Sequence, residues 1–244
     1  AIAFIAIIIF LFDPIIFGAK LFGSPDSLSP RSVAMALNKA SEGIGGYPLW
    51  QPWVFSGMPT AESFSYLSKL YFPEYIFKFF FLSGSTIQFI HLIFSGLGCM
   101  ILLRELLCSR TASFLGAIAY MTTPFMITMA VFGHGSQLMT AAYIPWALWL
   151  SIKSWEKPSL INTGSLALVL GFQLQRAHAQ IAYYTWLLIG LYFLIMLVYS
   201  IKEKNEKLII SKKLLYILIA CILGISISAL IYIPAIEYTP FSVR

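Results

Sequence analysis

Charge is what this sequence has least of. Only 11% of its 244 residues are charged, against about 25% in a soluble domain. A water-soluble globule of this make-up would expose large apolar patches and aggregate. Soluble enzyme, disordered protein and nucleic-acid binder are therefore excluded as primary classes. Cysteine is scarce too: Cys99, Cys108 and Cys221 have no zinc or redox spacing, and no disulfide framework is expected. There is no Gly-Lys-Ser/Thr phosphate loop, no dinucleotide fingerprint and no His-Glu-x-x-His pair, so an ATP-driven pump or a soluble-nucleotide enzyme has no support. Aspartate occurs only as Asp13 and Asp26.

What the chain has instead is apolar length: 59% of it is hydrophobic. Residues 79–103, 111–152, 158–175, 177–201 and 214–236 contain no Asp, Glu, Lys or Arg. A bilayer core of about 30 Å needs about 20 helical residues at about 1.5 Å each. The longest stretch fits two helices and the others one each. Ala1–Phe12 is a further apolar run without an initiator Met, with no basic leader or cleavage-site pattern. It reads as a helix cut at its start, which makes the chain an N-terminal fragment of a longer protein. The expected fold is all-α, a polytopic transmembrane bundle of about seven spans. These lie near 1–17, 84–104, 111–131, 138–155, 159–176, 179–201 and 213–234, in a single membrane domain spanning 1–244.

Two kinds of connection alternate. Arg104–Arg110, Lys153–Lys157 and Lys202–Lys213 hold nine of the 16 Lys/Arg, whereas Gly133–Gln137 has none and Arg176–Gln180 has one. The positive-inside rule puts the basic set in the cytoplasm, which also accounts for the net charge of +6 without a nucleic-acid partner. Segment 18–83 then becomes a large first extracytoplasmic loop. It holds half of the 12 prolines and the aromatic run Tyr47–Pro59, and disordered segments lack such anchors. Two short helices are expected in it. One starts at Ser29-Pro30, a cap followed by proline at the first helical position, and runs to about Ala40. The other starts at Pro73, with Tyr75, Ile76, Phe79 and Phe80 as a stripe suited to the membrane interface.

Three outward clusters could carry chemistry. Asp26 is either a turn or helix-capping residue or a carboxylate that accepts a proton from a hydroxyl nucleophile; Asp13 reads as a helix-end residue at headgroup level. His134, in Phe132-Gly-His-Gly-Ser-Gln137, sits between glycines that permit a tight turn and close ligand approach; it is a surface histidine or a contact to phosphate or sugar, with Gln137 beside it. Gln173-Leu-Gln-Arg-Ala-His-Ala-Gln180 is the most polar stretch among the helices. Arg176 either snorkels or binds phosphate through its guanidinium fork, supported by His178 and Gln180. His91, inside a span, reads as an interhelical hydrogen-bonding residue. Glu62 and the Lys/Glu run at 202–207 read as solvated, and Glu237 as an interface residue.

Trp50-Gln-Pro-Trp-Val-Phe-Ser-Gly-Met-Pro59, Gly133-His134, Gln173–Gln180 with Tyr183-Tyr184, and Glu237–Arg244 resemble, in order, the YfhO-like family of bacterial membrane proteins. The resemblance implies a C-type glycosyltransferase fold in the bacterial plasma membrane and a sugar donor carried on a polyprenyl phosphate. It also implies a cell-envelope polymer or glycolipid acceptor and an acidic residue in the first outward loop, the position of Asp26. Some relatives glycosylate cell-envelope polymers such as lipoteichoic acid. Asp26 and His134 are then the expected catalytic residues, with Arg176, His178, Gln137, Gln180 and Trp50 binding substrate and a divalent metal possible at Asp26. The alternatives are a transporter or flippase of lipid-linked saccharides, which should show repeats and broken mid-membrane helices, and a non-catalytic assembly protein, in which Asp26, His134 and Arg176 would lie far apart.

Overall fold

A computed structural model of the chain describes residues 1–18, 20–46, 48–53, 56–60, 70–80, 83–203 and 207–241, without the side chains of residues 27, 29–31, 78 and 207. It is about 81% helical with almost no sheet. The helices are α1 (Ile2–Ile16), α2 (Pro25–Ile44), α3 (Phe72–Phe79), α4 (Gly84–Glu105), α5 (Arg110–Met121), α6 (Pro124–Val131), α7 (Gly135–Ala142), α8 (Ile144–Glu156), α9 (Leu160–Gln175), α10 (Ala179–Lys202) and α11 (Lys207–Tyr238). A two-stranded antiparallel hairpin pairs β1 (Trp50–Gln51) with β2 (Met58–Pro59), Trp50 opposite Pro59 and Gln51 opposite Met58.

Four stretches, Gly84–Glu105, Arg110–Val131, Ala179–Lys202 and Leu208–Phe241, are long and apolar enough to cross a membrane; Ile2–Ile16 and Leu160–Gln175 are shorter apolar helices. Proline explains where the expected spans break. It lacks an N–H and suits the first turn of a helix rather than its interior. The 111–131 run is accordingly split before Pro124, where the Thr123 hydroxyl accepts from the Met126 N–H. The 138–155 run is split at Tyr143 before Pro145, giving α7 and α8. Elsewhere a serine starts each apolar run: Ser83, Ser109 and Ser159 cap α4, α5 and α9, each satisfying one of the orphan N–H groups of a first turn.

The packing uses small residues where backbones approach. On α11, Ala220, Gly224 and Ser228 recur every fourth residue, and Gly224 meets Ala167, Leu170 and Gly171 of α9. Ala167 and Leu170 lie against Gly224, and Gly171 against Ile227, so both chains climb in the same direction and the two helices are parallel. Small-xxx-small spacing is how apolar helices approach without a hydrophobic drive between them. Gly96 of α4 likewise lies against Ala117 and Met121 of α5, and the Cys99 thiol reaches the Gly116 carbonyl.

The bundle has two chemically different ends. At one, Lys153 Nζ lies 2.6 Å from Glu105 Oε1, Trp149 Nε1 donates to Glu105 Oε2, and Lys213 sits 5.1 Å above the Trp155 ring. The basic connections after α4, α8 and α10 therefore share that end. The opposite end carries the start of α4, the α6–α7 turn and the α9–α10 turn. Two expectations for segment 18–83 need correction or refinement. The first helix starts at Pro25, not at Ser29-Pro30, and runs to Ile44; the proline preference is met by Pro25 rather than Pro30. The second starts at Phe72 and does expose Tyr75, Ile76, Phe79 and Phe80. Glu62 and residues 204–206 lie outside the described residues.

Candidate functional site

Asp26 is the second residue of α2, in its first turn, where the Leu28 N–H is already bonded to the Ser24 carbonyl. A carboxylate is favoured there by the helix dipole. His134 is set by the turn before it. Gly133, at φ +87°, reverses the chain in a region costly for other residues. The His134 N–H then bonds the Met129 carbonyl at 2.9 Å, and the His134 carbonyl accepts from Gln137 and Leu138 as α7 begins. The outcome is that His134 Nε2 lies 3.5 Å from Asp26 Oδ2, with the side chains 38% and 65% exposed. Residues more than 100 positions apart have been brought together, and an exposed pair of this kind contributes only about 0–1 kcal/mol. Stability alone gives little reason for it.

His178 stands at the start of α10, where its Nδ1 accepts the Ile181 N–H at 3.4 Å. Burial lowers its pKa below the ordinary histidine value, its own backbone hydrogen bond works the other way, and the proximity of His134 lowers it further. His178, Gln137 and Gln180 line a cavity of about 480 Å³ between the α5–α6 break, α7 and α10. Phe125, Met126, Ile144 and Ile181 make most of the rest of its wall apolar, and Tyr120, Thr123 and Tyr184 add hydroxyls. Gln180 Nε2 donates to the Tyr184 hydroxyl at 3.0 Å. A greasy chamber with a few polar groups on one side suits an amphiphile.

Arg176 and Trp50 are placed elsewhere. Arg176 is only 6% exposed, and its guanidinium lies 4.5 Å over the Tyr71 ring. That is a cation–π contact inside the fold, and Arg176 does not line the cavity. Trp50 packs edge-on to Tyr238 at the end of α11. Its indole also covers Gly57, where an added Cβ would come within 2.6 Å of the ring and where φ is +116°.

Arg176 belongs to a second polar group that residue patterns alone did not reveal. The Tyr71 hydroxyl bonds both His91 Nε2, at 2.8 Å, and the Tyr143 hydroxyl. His91 Nδ1 donates to the Ile87 carbonyl, which fixes the tautomer so that Tyr71 donates to Nε2. Burial, with Tyr143 adding to it, pushes the Tyr71 hydroxyl well above its ordinary pKa; it stays a neutral donor. Beside it, Gln175 accepts from the Phe72 N–H at 3.1 Å and donates to the Ile227 carbonyl at 2.8 Å. Gln173 donates to the Thr140 carbonyl and the Thr185 hydroxyl. The polar Gln173–Gln180 stretch was the available signal, and half of it proves to be a fastening.

Among the described residues, no group of three His, Cys, Asp or Glu side chains is placed to hold a metal. Asp26 and His134 are a pair, not a ligand set. No protein-family model, curated protein or solved structure matches the chain.

Proposed function

We propose that the chain is the membrane-embedded part of a glycosyltransferase that moves a sugar from a polyprenyl-phosphate carrier to a cell-envelope acceptor. It would lie in the bacterial plasma membrane as a bundle of about seven spans, with segment 18–83 on the extracytoplasmic side. The observation that carries the reading is convergence. Asp26 and His134 meet at the end opposite the basic connections, and Gln137, in the turn that His134 opens, lines a mainly apolar cavity whose polar groups include His178 and Gln180. A carboxylate and imidazole can accept a proton from a hydroxyl, and an apolar chamber beside them can take a lipid tail. A site facing away from the cytoplasm has no access to cytoplasmic nucleotide sugars. A lipid-borne donor is the chemistry that fits both the chamber and the missing nucleotide motifs.

The test uses the protein in proteoliposomes with a radiolabelled sugar on a polyprenyl phosphate and a glycolipid acceptor. Transfer is expected, and Asp26→Asn should reduce it by about 10²–10⁴-fold, the usual worth of a positioned acid–base group, with the helical spectrum unchanged. No transfer by the wild-type chain would overturn the reading. Movement of label across the bilayer without transfer would replace it with a flippase. A membrane-impermeant thiol reagent should label Ser56→Cys from outside the cell; labelling from the cytoplasm would invert the orientation.

A further inference from the structure

We infer that the chamber between the α5–α6 break, α7 and α10 is a site for an uncharged sugar headgroup carried on a lipid, and that phosphate is excluded from it. This rests on the lipid-borne sugar reading above and names the part of such a molecule that the chamber takes.

The walls set the class of guest. Eleven residues line the chamber, and none of them is Asp, Glu, Lys or Arg. His178, the one lining group that titrates near neutral pH, is held below the ordinary histidine pKa by burial and is uncharged at neutral pH. Arg176 is turned away onto the Tyr71 ring, and Asp26 and His134 are not among the lining residues. A phosphate placed here would lose its water and gain no counter-charge, and burying an unpaired ion is very costly. A headgroup of hydroxyls carries no such penalty.

The hydrogen-bonding capacity left over in the walls fits hydroxyls as well. The Tyr184 oxygen accepts from Gln180 Nε2 at 3.0 Å, so the Tyr184 O–H is left to donate and the Gln180 carbonyl to accept. Thr123 Oγ1 accepts the Met126 N–H at 3.3 Å as the cap of α6, which leaves its O–H to donate. The Tyr120 O–H is spent on the Ala141 carbonyl, and its oxygen can still accept. Among the described residues, no hydrogen bond holds the Gln137 side chain, so both ends of its amide are open to a guest. Donors and acceptors are thus mixed around one space. A sugar matches that mixture, because every hydroxyl is both; a phosphate, which only accepts, would use half of it. The apolar remainder has two uses. The C–H face of a sugar ring packs on the negative face of an aromatic ring, and Tyr120, Phe125 and Tyr184 supply rings, while Met126, Ile144 and Ile181 can take the first carbons of a tail. The volume of about 480 Å³ lies within the usual range for a small-molecule site, about 300–1,000 Å³.

The experiment is saturation-transfer NMR of the full chain in phosphatidylcholine nanodiscs, with empty nanodiscs as the blank. Hexyl β-D-glucoside is the probe, and hexyl phosphate and hexanol are its comparisons. The glucoside should bind about 10-fold more tightly than either, the worth of two ordinary hydrogen bonds. Tyr184→Phe and Gln137→Leu should each weaken glucoside binding about 2- to 10-fold and leave hexanol binding unchanged; Tyr184 is exposed and Gln137 half-buried, so the helical spectrum should be retained. Equal binding of glucoside and hexanol would reduce the chamber to a tail site, and tighter binding of hexyl phosphate would make it a phosphate site; either overturns the inference. Displacement of the glucoside by glucose on geranyl phosphate would assign the site to the donor, and displacement by a short-chain glucosyl diacylglycerol would assign it to the acceptor; displacement by neither overturns it. Selective glucoside binding without sugar transfer in proteoliposomes would keep the chamber's assignment and remove the transferase reading. Transfer without glucoside binding would do the reverse.

Discussion

Gly171→Ala is the sharpest test of how the bundle is held together. A Cβ at Gly171 would lie 2.7 Å from both Cβ and Cγ2 of Ile227. Carbon atoms rest about 3.5–4.0 Å apart, and Cβ of Ile227 cannot swing aside because it is fixed to the backbone. The α9 and α11 axes must therefore separate by about 1 Å, the shortfall in that carbon–carbon distance. Overpacking of this sort costs about 1–3 kcal/mol. The bonds just above it, Gln175 Nε2 to the Ile227 carbonyl and the Tyr232 hydroxyl to the Leu174 carbonyl, are strained as well, at about 0.6 kcal/mol each for membrane helices. Against this stands a gain of about 0.8–1.0 kcal/mol for replacing glycine by alanine in a helix. The net expectation is a loss of about 1–3 kcal/mol, the packing and hydrogen-bond costs less the helix gain. In a chain of this size that lowers the melting midpoint by about 2–4 °C per kcal/mol, read by circular dichroism in detergent. Gly190→Ala is the control. Nothing lies within 4 Å of its added Cβ, so only the propensity gain applies and the midpoint should rise. A Gly171→Ala protein that melts at or above wild type would refute the close parallel contact of α9 with α11.

Three further outcomes are expected. Tyr71→Phe removes the hydroxyl shared by His91 and Tyr143 and should cost about 1–3 kcal/mol, because buried polar groups are left unpaired; limited proteolysis within 48–72 should speed up, and an unchanged digestion rate would count against the fastening. Arg176→Ala should act through the loss of its stack on Tyr71, lowering the melting midpoint with the donor KM unchanged; a raised KM at an unchanged midpoint would restore a phosphate-binding role to Arg176. His178, with its pKa depressed in the fold, takes up a proton in the unfolded chain before it does so in the folded one. Its contribution is thus neutral above about pH 6.5, the ordinary histidine value, and stability falls as pH drops below that. His178→Gln should flatten this part of the pH profile of melting midpoints.

Much of the fold was legible because membrane-like sequences advertise it. The charge-free runs marked most of the helical stretches, whereas the caps Ser83, Ser109 and Ser159 emerged only from the structure. Span integrity was harder to read. Whether Pro124 and Pro145 kink one helix or divide two depends on what satisfies the freed carbonyls, which is tertiary information. The start of α2 was missed because both Pro25 and Pro30 follow a serine, and local preference does not rank them. At the site, Asp26, His134, Gln137, His178 and Gln180 stood out as polar residues at the ends of apolar runs. Their gathering at one end follows from the alternation of the helices. Arg176 and Tyr71 could not be assigned that way. A guanidinium near a helix end looks alike in sequence whether it reaches for phosphate or lies on a ring supplied from residue 71.

That second polar group explains why the first can keep its geometry. Gln175 uses both ends of its side chain, one for the Phe72 N–H and one for the Ile227 carbonyl. Each bond sits in largely apolar surroundings, where an unpaired amide or carbonyl would cost about 1–3 kcal/mol. The end of α9 is therefore tied at once to α11 and to the return limb of segment 18–83. The Arg176–His178 turn begins from that fixed point. Ala177 holds φ +56°, a left-handed conformation that costs a residue with a Cβ about 1–2 kcal/mol. It lets Arg176 fold inward onto Tyr71 while His178, two residues on, faces the cavity. One turn thus sends adjacent polar side chains to opposite tasks, a buried fastening and a wall of the cavity, and loosening the fastening should blur the position of His178.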